Sequence, residues 1–167
     1  IEASQPRLRV LAKYGVGIET IDLDAATEFG VLVANTPGAN SLGVAEHTIA
    51  LLLSLLRNVP QLDRLVRTGN WNQARRYIGG DIEGSTIGLV GFGNVGQLVG
   101  RRAAALGMRV LAWNRTPKAH PGVDFVPLDR LLAESDVVSL HLLLTDATRG
   151  FLSAARIAAM KPGAMLI

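Results

Sequence analysis

Cysteine is missing from all 167 residues, and that absence removes disulfide staples, thiolate zinc sites and cysteine nucleophiles together. It suits a reducing, cytoplasmic setting, and no structural metal is expected. Long hydrophobic runs are missing as well. The most apolar stretch, residues 48–56, is far shorter than the roughly 20 residues needed to cross a bilayer, and Arg57 closes it. The chain opens at Ile1 without a methionine or a basic-then-apolar signal region, so no targeting segment is read and the start is expected to be a cut. Charge of one sign never accumulates. The net charge of +3 and the sequence pI near 9.8 come from basic residues interleaved with acids, which speaks against nucleic acid as a partner. No repeat or low-complexity tract interrupts the chain.

What is present is a hydrophobic content of 49%, enough for the core of one domain, or of one domain and part of another. Residues 9–14 (RVLAKY) read as a strand running into the glycines Gly15 and Gly17. Asp22-Leu23-Asp24 offers an N-cap to a short helix ending at Gly30, and residues 31–33 read as a second strand. After the turn-rich NTPGANS from Asn35, residues 42–56 are the best candidate for a long buried helix, and a domain crossover is placed here. A second amphipathic helix fits residues 60–68, and residues 71–83 read as a surface loop. From Ser85 the pattern alternates: strand 86–90, helix 94–106, strand 109–113, a short strand near Phe125, helix 128–134, strand 137–140, helix 153–160 and an unfinished strand at 164–167. That alternation predicts an α/β protein with a parallel sheet covered by helices.

The sequence Gly91-Phe92-Gly93-Asn94-Val95-Gly96 follows the apolar run Ile87-Gly88-Leu89-Val90 and opens a helix. Three spaced glycines mean little alone, but a strand before and a helix after make them a dinucleotide fingerprint of the Rossmann type. Gly91 permits the tight turn, Gly93 lets a pyrophosphate approach the backbone, and Gly96 lets the helix pack on the strand. The N–H groups of Asn94 and Val95 are then the expected anion contacts. At the end of the next strand, where an NAD enzyme offers a carboxylate to the ribose, this chain has Asn114-Arg115-Thr116. A cation in that place can pair with a 2′-phosphate, worth roughly one to four kcal/mol at 4 Å, so NADP(H) is expected over NAD(H).

Five stretches in order resemble the D-isomer-specific 2-hydroxyacid dehydrogenases, a family that includes phosphoglycerate dehydrogenases and glyoxylate/hydroxypyruvate reductases: YGVGIETIDLDAA from Tyr14, NTPGANSLGVAEHT from Asn35, VRTGNW from Val66, IGLVGFGNVG from Ile87, and SDVVSLHLLLTDATRGFL from Ser135, followed by MKPGAMLI. The resemblance implies two α/β domains, with residues 1–37 the tail of a flavodoxin-like substrate-domain segment and residues 38–167 a doubly wound NAD(P)-binding domain truncated at its end. It implies substrate-side contacts at Gly15 and Val16, with Tyr14 and Lys13 behind them, where glycine-turn N–H groups can hold a carboxylate. It also implies cofactor contacts at Leu143, which stands where the family usually has proline, and at Thr148.

Hydride transfer between a nicotinamide and a 2-oxo or 2-hydroxy acid is therefore the expected chemistry, with a homodimer as the expected assembly and Trp71 near its interface. The arginine, glutamate and histidine that the family uses for catalysis are expected beyond Ile167, so these 167 residues alone are expected to be inactive. His47 beside Glu46, His120 and His141 are read as structural or solvated. The competing reading is a dinucleotide-sensing, corepressor-like binding protein without turnover.

Overall fold

The computed structural model describes residues 1–4, 6–116 and 119–167. The chain begins with a small parallel unit: β1 (Val10–Ala12), α1 (Leu23–Glu28) and β2 (Leu32–Ala34), with Val10 opposite Leu32 and Ala12 opposite Ala34. Asp22 caps α1 by accepting the Ala25 N–H through its side chain at 2.9 Å, as the sequence predicts. The strand is shorter than residues 9–14 because the backbone turns away at the glycines, where Gly15 takes φ +144.

The chain then enters α2 (Ser41–Leu56) and α3 (Val59–Arg67). Asn58 between them adopts a left-handed conformation with φ 52, and the two helices are bent by 62°. No single helix among the described residues is long and apolar enough to cross a membrane. Residues 71–83, expected as plain loop, contain a 3-10 stretch, Trp71–Arg76, before they become irregular.

The main sheet follows: β3 (Thr86–Val90), α4 (Asn94–Ala105), β4 (Arg109–Trp113), β5 (Asp124–Phe125), α5 (Leu128–Glu134), β6 (Val137–Leu140), α6 (Ala154–Ala158) and β7 (Met165–Leu166). All pairings are parallel, in the order β5-β4-β3-β6-β7. Every residue of β3 is buried, which is why TIGLV reads as a continuous apolar run and not as an alternating one. The chain builds outward from β3 through β4 to β5, then returns to the other flank with β6. That reversal makes the β3–β6 junction a topological switch point, where α/β sheets open a crevice beyond the carboxyl ends of their strands.

Helices cover both faces. Ala45 and Leu52 of α2 join Val99 and Ala103 of α4, Ile87, Leu89, Val110 and Ala112 in one core. Leu131 and Leu132 of α5 pack with Val90, Leu111 and Val138 in the other. The sheet is thus doubly wound, and α2 contributes to its core although it precedes the sheet in the chain.

Candidate functional site

The glycine turn sits at the carboxyl end of β3. Gly91 takes φ +98, and a Cβ there would lie 2.6 Å from the His141 carbonyl oxygen of the neighbouring strand end. A Cβ on Gly96 would overlap the Gly91 carbonyl oxygen, so α4 starts in direct backbone contact with the turn. Gly93 differs from both: a Cβ would meet nothing within 4 Å. Gly93 is also the N-cap of α4 and lends no side-chain cap, and the first bond back to it comes from the Gln97 N–H at 3.0 Å. The first-turn donors of Asn94 and Val95 are therefore left for an anion beside the open space at Gly93. This geometry fits a pyrophosphate.

A cleft of about 420 Å³ extends from Gly93 across the end of β4. Trp113, Asn114 and Arg115 form one wall, and Leu142, Leu143, Thr148 and Phe151 the other. Arg115 is exposed, and no carboxylate pairs with it among the described residues. Thr116 stands outside the lining, and its carbonyl accepts from the Asn114 amide at 3.5 Å. Thr148 lines the cleft, but its hydroxyl is committed to the loop: it donates to the Leu143 carbonyl at 2.5 Å and accepts the Thr145 N–H at 2.7 Å. Its role in this geometry is to shape the 143–148 turn. Leu143, 72% exposed, presents a side chain to both this cleft and the next.

The second cleft, about 750 Å³, lies between Leu143, Leu144 and Thr145 on one side and Val16, Gly17, Glu19, Asp24 and Asn35 on the other. Gly15 sits beside this cleft, tied to Thr36 on both sides of its peptide. Its N–H donates to the Thr36 hydroxyl at 3.1 Å, and its carbonyl accepts the Thr36 N–H at 3.0 Å. In this structure that donor is taken by Thr36, while Val16 and Gly17 line the cleft. Asn35 braces the same loop by donating to the Val16 carbonyl at 2.8 Å. Tyr14 is 99% exposed and does not line the cleft, and the Lys13 ammonium donates to the Thr20 hydroxyl at 2.8 Å. The clamping residues Asn35 and Thr36 were visible only as turn formers, because the pairing of β1 with β2 is what brings them to Gly15.

The three histidines hold separate places. His47 is exposed on α2, while its neighbour Glu46 faces Arg102 of α4 at 3.8 Å. His120 packs edge-on to Phe92, with centroids 5.2 Å apart. His141 stands at the end of β6 with Nε2 3.0 Å from the Ser139 hydroxyl, and burial pulls its pKa down to about 4. It is neutral at ordinary pH and lines the first cleft.

A parallel doubly wound sheet, a glycine turn at its switch point and an open cleft beside that turn define a dinucleotide-binding α/β domain. Comparison with known proteins narrows this. Residues 49–167 match the NAD binding domain of the D-isomer specific 2-hydroxyacid dehydrogenases, and the chain belongs to that family. It is 44% identical to D-3-phosphoglycerate dehydrogenase 2, chloroplastic, of Arabidopsis thaliana, over 99% of this chain and 27% of that protein. It is 40% identical to the glyoxylate reductase of Pyrococcus furiosus, over 97% of this chain and 51% of that one. The crystal structure of the TT0316 protein from Thermus thermophilus superposes with a TM-score of 0.90 at 45% identity, covering 95% of this chain and 51% of that chain. The chain thus spans about half, or less, of the length of these relatives.

Proposed function

We propose that this chain is the cofactor-binding part of an NAD(P)-dependent oxidoreductase that interconverts a 2-oxo and a 2-hydroxy acid. The observation that carries the proposal is the meeting of two clefts at residues 143–145. One continues to the anion-ready turn at Gly93, and the other is walled by the Val16–Gly17 loop. A dinucleotide laid across the switch point from Arg115 would bring its nicotinamide end to that junction, where it would supply or accept a hydride at the carbon bearing the substrate oxygen.

The residues of this chain have binding and orienting work in that scheme. Gly91 and Gly96 set the turn, Gly93 gives the pyrophosphate room, and the Asn94 and Val95 N–H groups take its charge. Thr148 holds Leu143 at the junction, while Asn35 and Thr36 fix the loop that presents Val16 and Gly17 to a carboxylate. His47 and His120 line neither of these two clefts, and His141, with its pKa pulled down to about 4 by burial, carries no acid proton to give at ordinary pH and is a weak base. The acid/base group is proposed to belong to the rest of the active site, and the division into a substrate segment at residues 1–37 and a cofactor domain at residues 38–167 is part of the same reading. The names of the curated relatives, a dehydrogenase and a reductase, favour turnover over the dinucleotide-sensor alternative.

NADP(H) is proposed as the preferred form because Arg115, without a carboxylate partner among the described residues, stands just beyond β4, where a carboxylate would repel a 2′-phosphate. Titration of the intact protein with NADPH and NADH, followed by fluorescence, tests this. NADPH is expected to bind at least about tenfold tighter, with the order reversed in Arg115→Asp. Tighter NADH binding in the unmodified protein would overturn the preference and leave Arg115 a solvent-facing cation. A homodimer is proposed through α2, α3 and the stretch Trp71–Arg76, which expose Leu55, Val66 and Trp71.

A further inference from the structure

Two aromatic rings meet at the back of the adenosine-side cleft. Trp113 and Phe151 both line it, with centroids 5.5 Å apart and planes inclined by 41°. Trp113 is fixed by the sheet: it is the last residue of β4, in register with Val90, and its carbonyl accepts the Gly91 N–H at 2.9 Å. Phe151 has no strand beneath it. It follows a turn in which Gly150 takes φ +65 and precedes the five-residue α6.

The Phe151 ring packs against the core cluster that contains Val90, Leu111 and Leu132, and Arg156 closes over it. Its guanidinium carbon lies 4.1 Å from the ring centroid, and its Nη1 donates to the Phe151 carbonyl. Its own N–H donates to the Ser153 hydroxyl at 3.4 Å, the cap of α6. No carboxylate pairs with Arg156 among the described residues. The cation is thus committed to the ring and to that residue's carbonyl, which also accepts the Ser153 N–H at 3.1 Å, so removing it loosens the ring on the side away from the core. Arg156 itself does not line the cleft.

We infer that Arg156 is a positioning residue for the purine of the dinucleotide: it clamps Phe151 against Trp113, and the two rings form the apolar seat on which adenine packs. The seat is the adenine end because Trp113, Asn114 and Arg115 belong to the β4 side of the switch point, away from the cleft at Val16. A purine offers an apolar π-face of matching size, and stacking on an aromatic side chain is a sequence-tolerant way to hold it. The inference rests on the dinucleotide reading of the cleft proposed above.

The test compares three ligands on the intact protein: NADH, ADP-ribose, which carries only the adenosine end, and reduced nicotinamide mononucleotide, which lacks it. Arg156→Met is expected to raise the Kd of NADH and ADP-ribose about three- to thirtyfold, the range a cation–π contact spans. The Kd of the mononucleotide stays unchanged, and Arg156→Lys recovers part of the loss. Combining Phe151→Leu with Arg156→Met should cost no more than Phe151→Leu alone, because both act through one ring. Unchanged NADH affinity in Arg156→Met, or an equal loss for the mononucleotide with a lowered Tm, overturns the inference while the cofactor reading stands. Failure of the unmodified protein to bind NADPH, NADH and ADP-ribose alike overturns both.

Discussion

At the scale of single residues, the histidine at the end of β6 shows how position decides chemistry. His141 is surrounded by the closing strand ends, and its imidazole is held near Ser139. Burial lowers its pKa from 6.5 to about 4, because the charged form loses hydration that the cleft does not replace. The folded protein therefore binds the proton less readily than the unfolded chain does. The resulting stability is fully present above pH 6.5 and is lost as the pH falls towards 4. Thermal unfolding of His141→Gln should accordingly show a shallower fall in Tm over that interval than the unmodified protein. Identical pH slopes for the two proteins would mean that His141 titrates normally in the fold.

Elements impose a different logic on three glycines that look alike. Gly91 and Gly96 are forced by the contact between the β3–α4 turn and its neighbours, whereas Gly93 faces space. A methyl group at Gly96 must push the Gly91 carbonyl away, and the helix shifts with it. Gly96→Ala is therefore expected to lower stability by about 1–3 kcal/mol, as overpacking does, with cofactor affinity falling in consequence. Gly93→Val should unfold within a degree or two of the unmodified protein and lose at least about tenfold in dinucleotide affinity, since the side chain would occupy the pyrophosphate's place. Differential scanning calorimetry beside a binding titration separates the two. If Gly93→Val bound NADH and NADPH normally, the pyrophosphate could not lie at this turn.

For the whole molecule, α2 is the element that ties the parts together. It leaves the small β1–β2 unit, buries Ala45 and Leu52 in the main core, and sends Glu46 towards Arg102. Together with α3 and the stretch Trp71–Arg76, it leaves Leu51, Leu55, Val59, Val66 and Trp71 exposed. An apolar surface of this kind marks an interaction face, and the proposed occupant is a second copy. Sedimentation velocity of the intact protein should therefore give a dimer, and Val66→Asp with Trp71→Asp should yield a monomer of unchanged Tm. A monomeric unmodified protein, or a dimer untouched by both substitutions, would place the assembly elsewhere.

The sequence by itself determined the strand and helix order, because TIGLV, the capped helices and the turn glycines each carry a local physical signature. The glycine turn feeding a helix N-terminus was legible too, since such a turn needs no distant partner to be recognised. Helix ends drifted by a residue or two, and the stretch Trp71–Arg76 was missed because a single 3-10 turn has no sustained period. Contacts that depend on how the chain pairs and turns, near or far along the sequence, were decided by the tertiary structure alone. Thr36 takes the Gly15 donor only because β1 and β2 pair, and Arg156 reaches Phe151 because the first turn of α6 brings residues five apart together. Thr148 spends its hydroxyl on Leu143 because the turn closes around it. Hydrogen-bond donors and rings are shared out by geometry in three dimensions, and a one-dimensional pattern holds no record of which neighbour reaches them first.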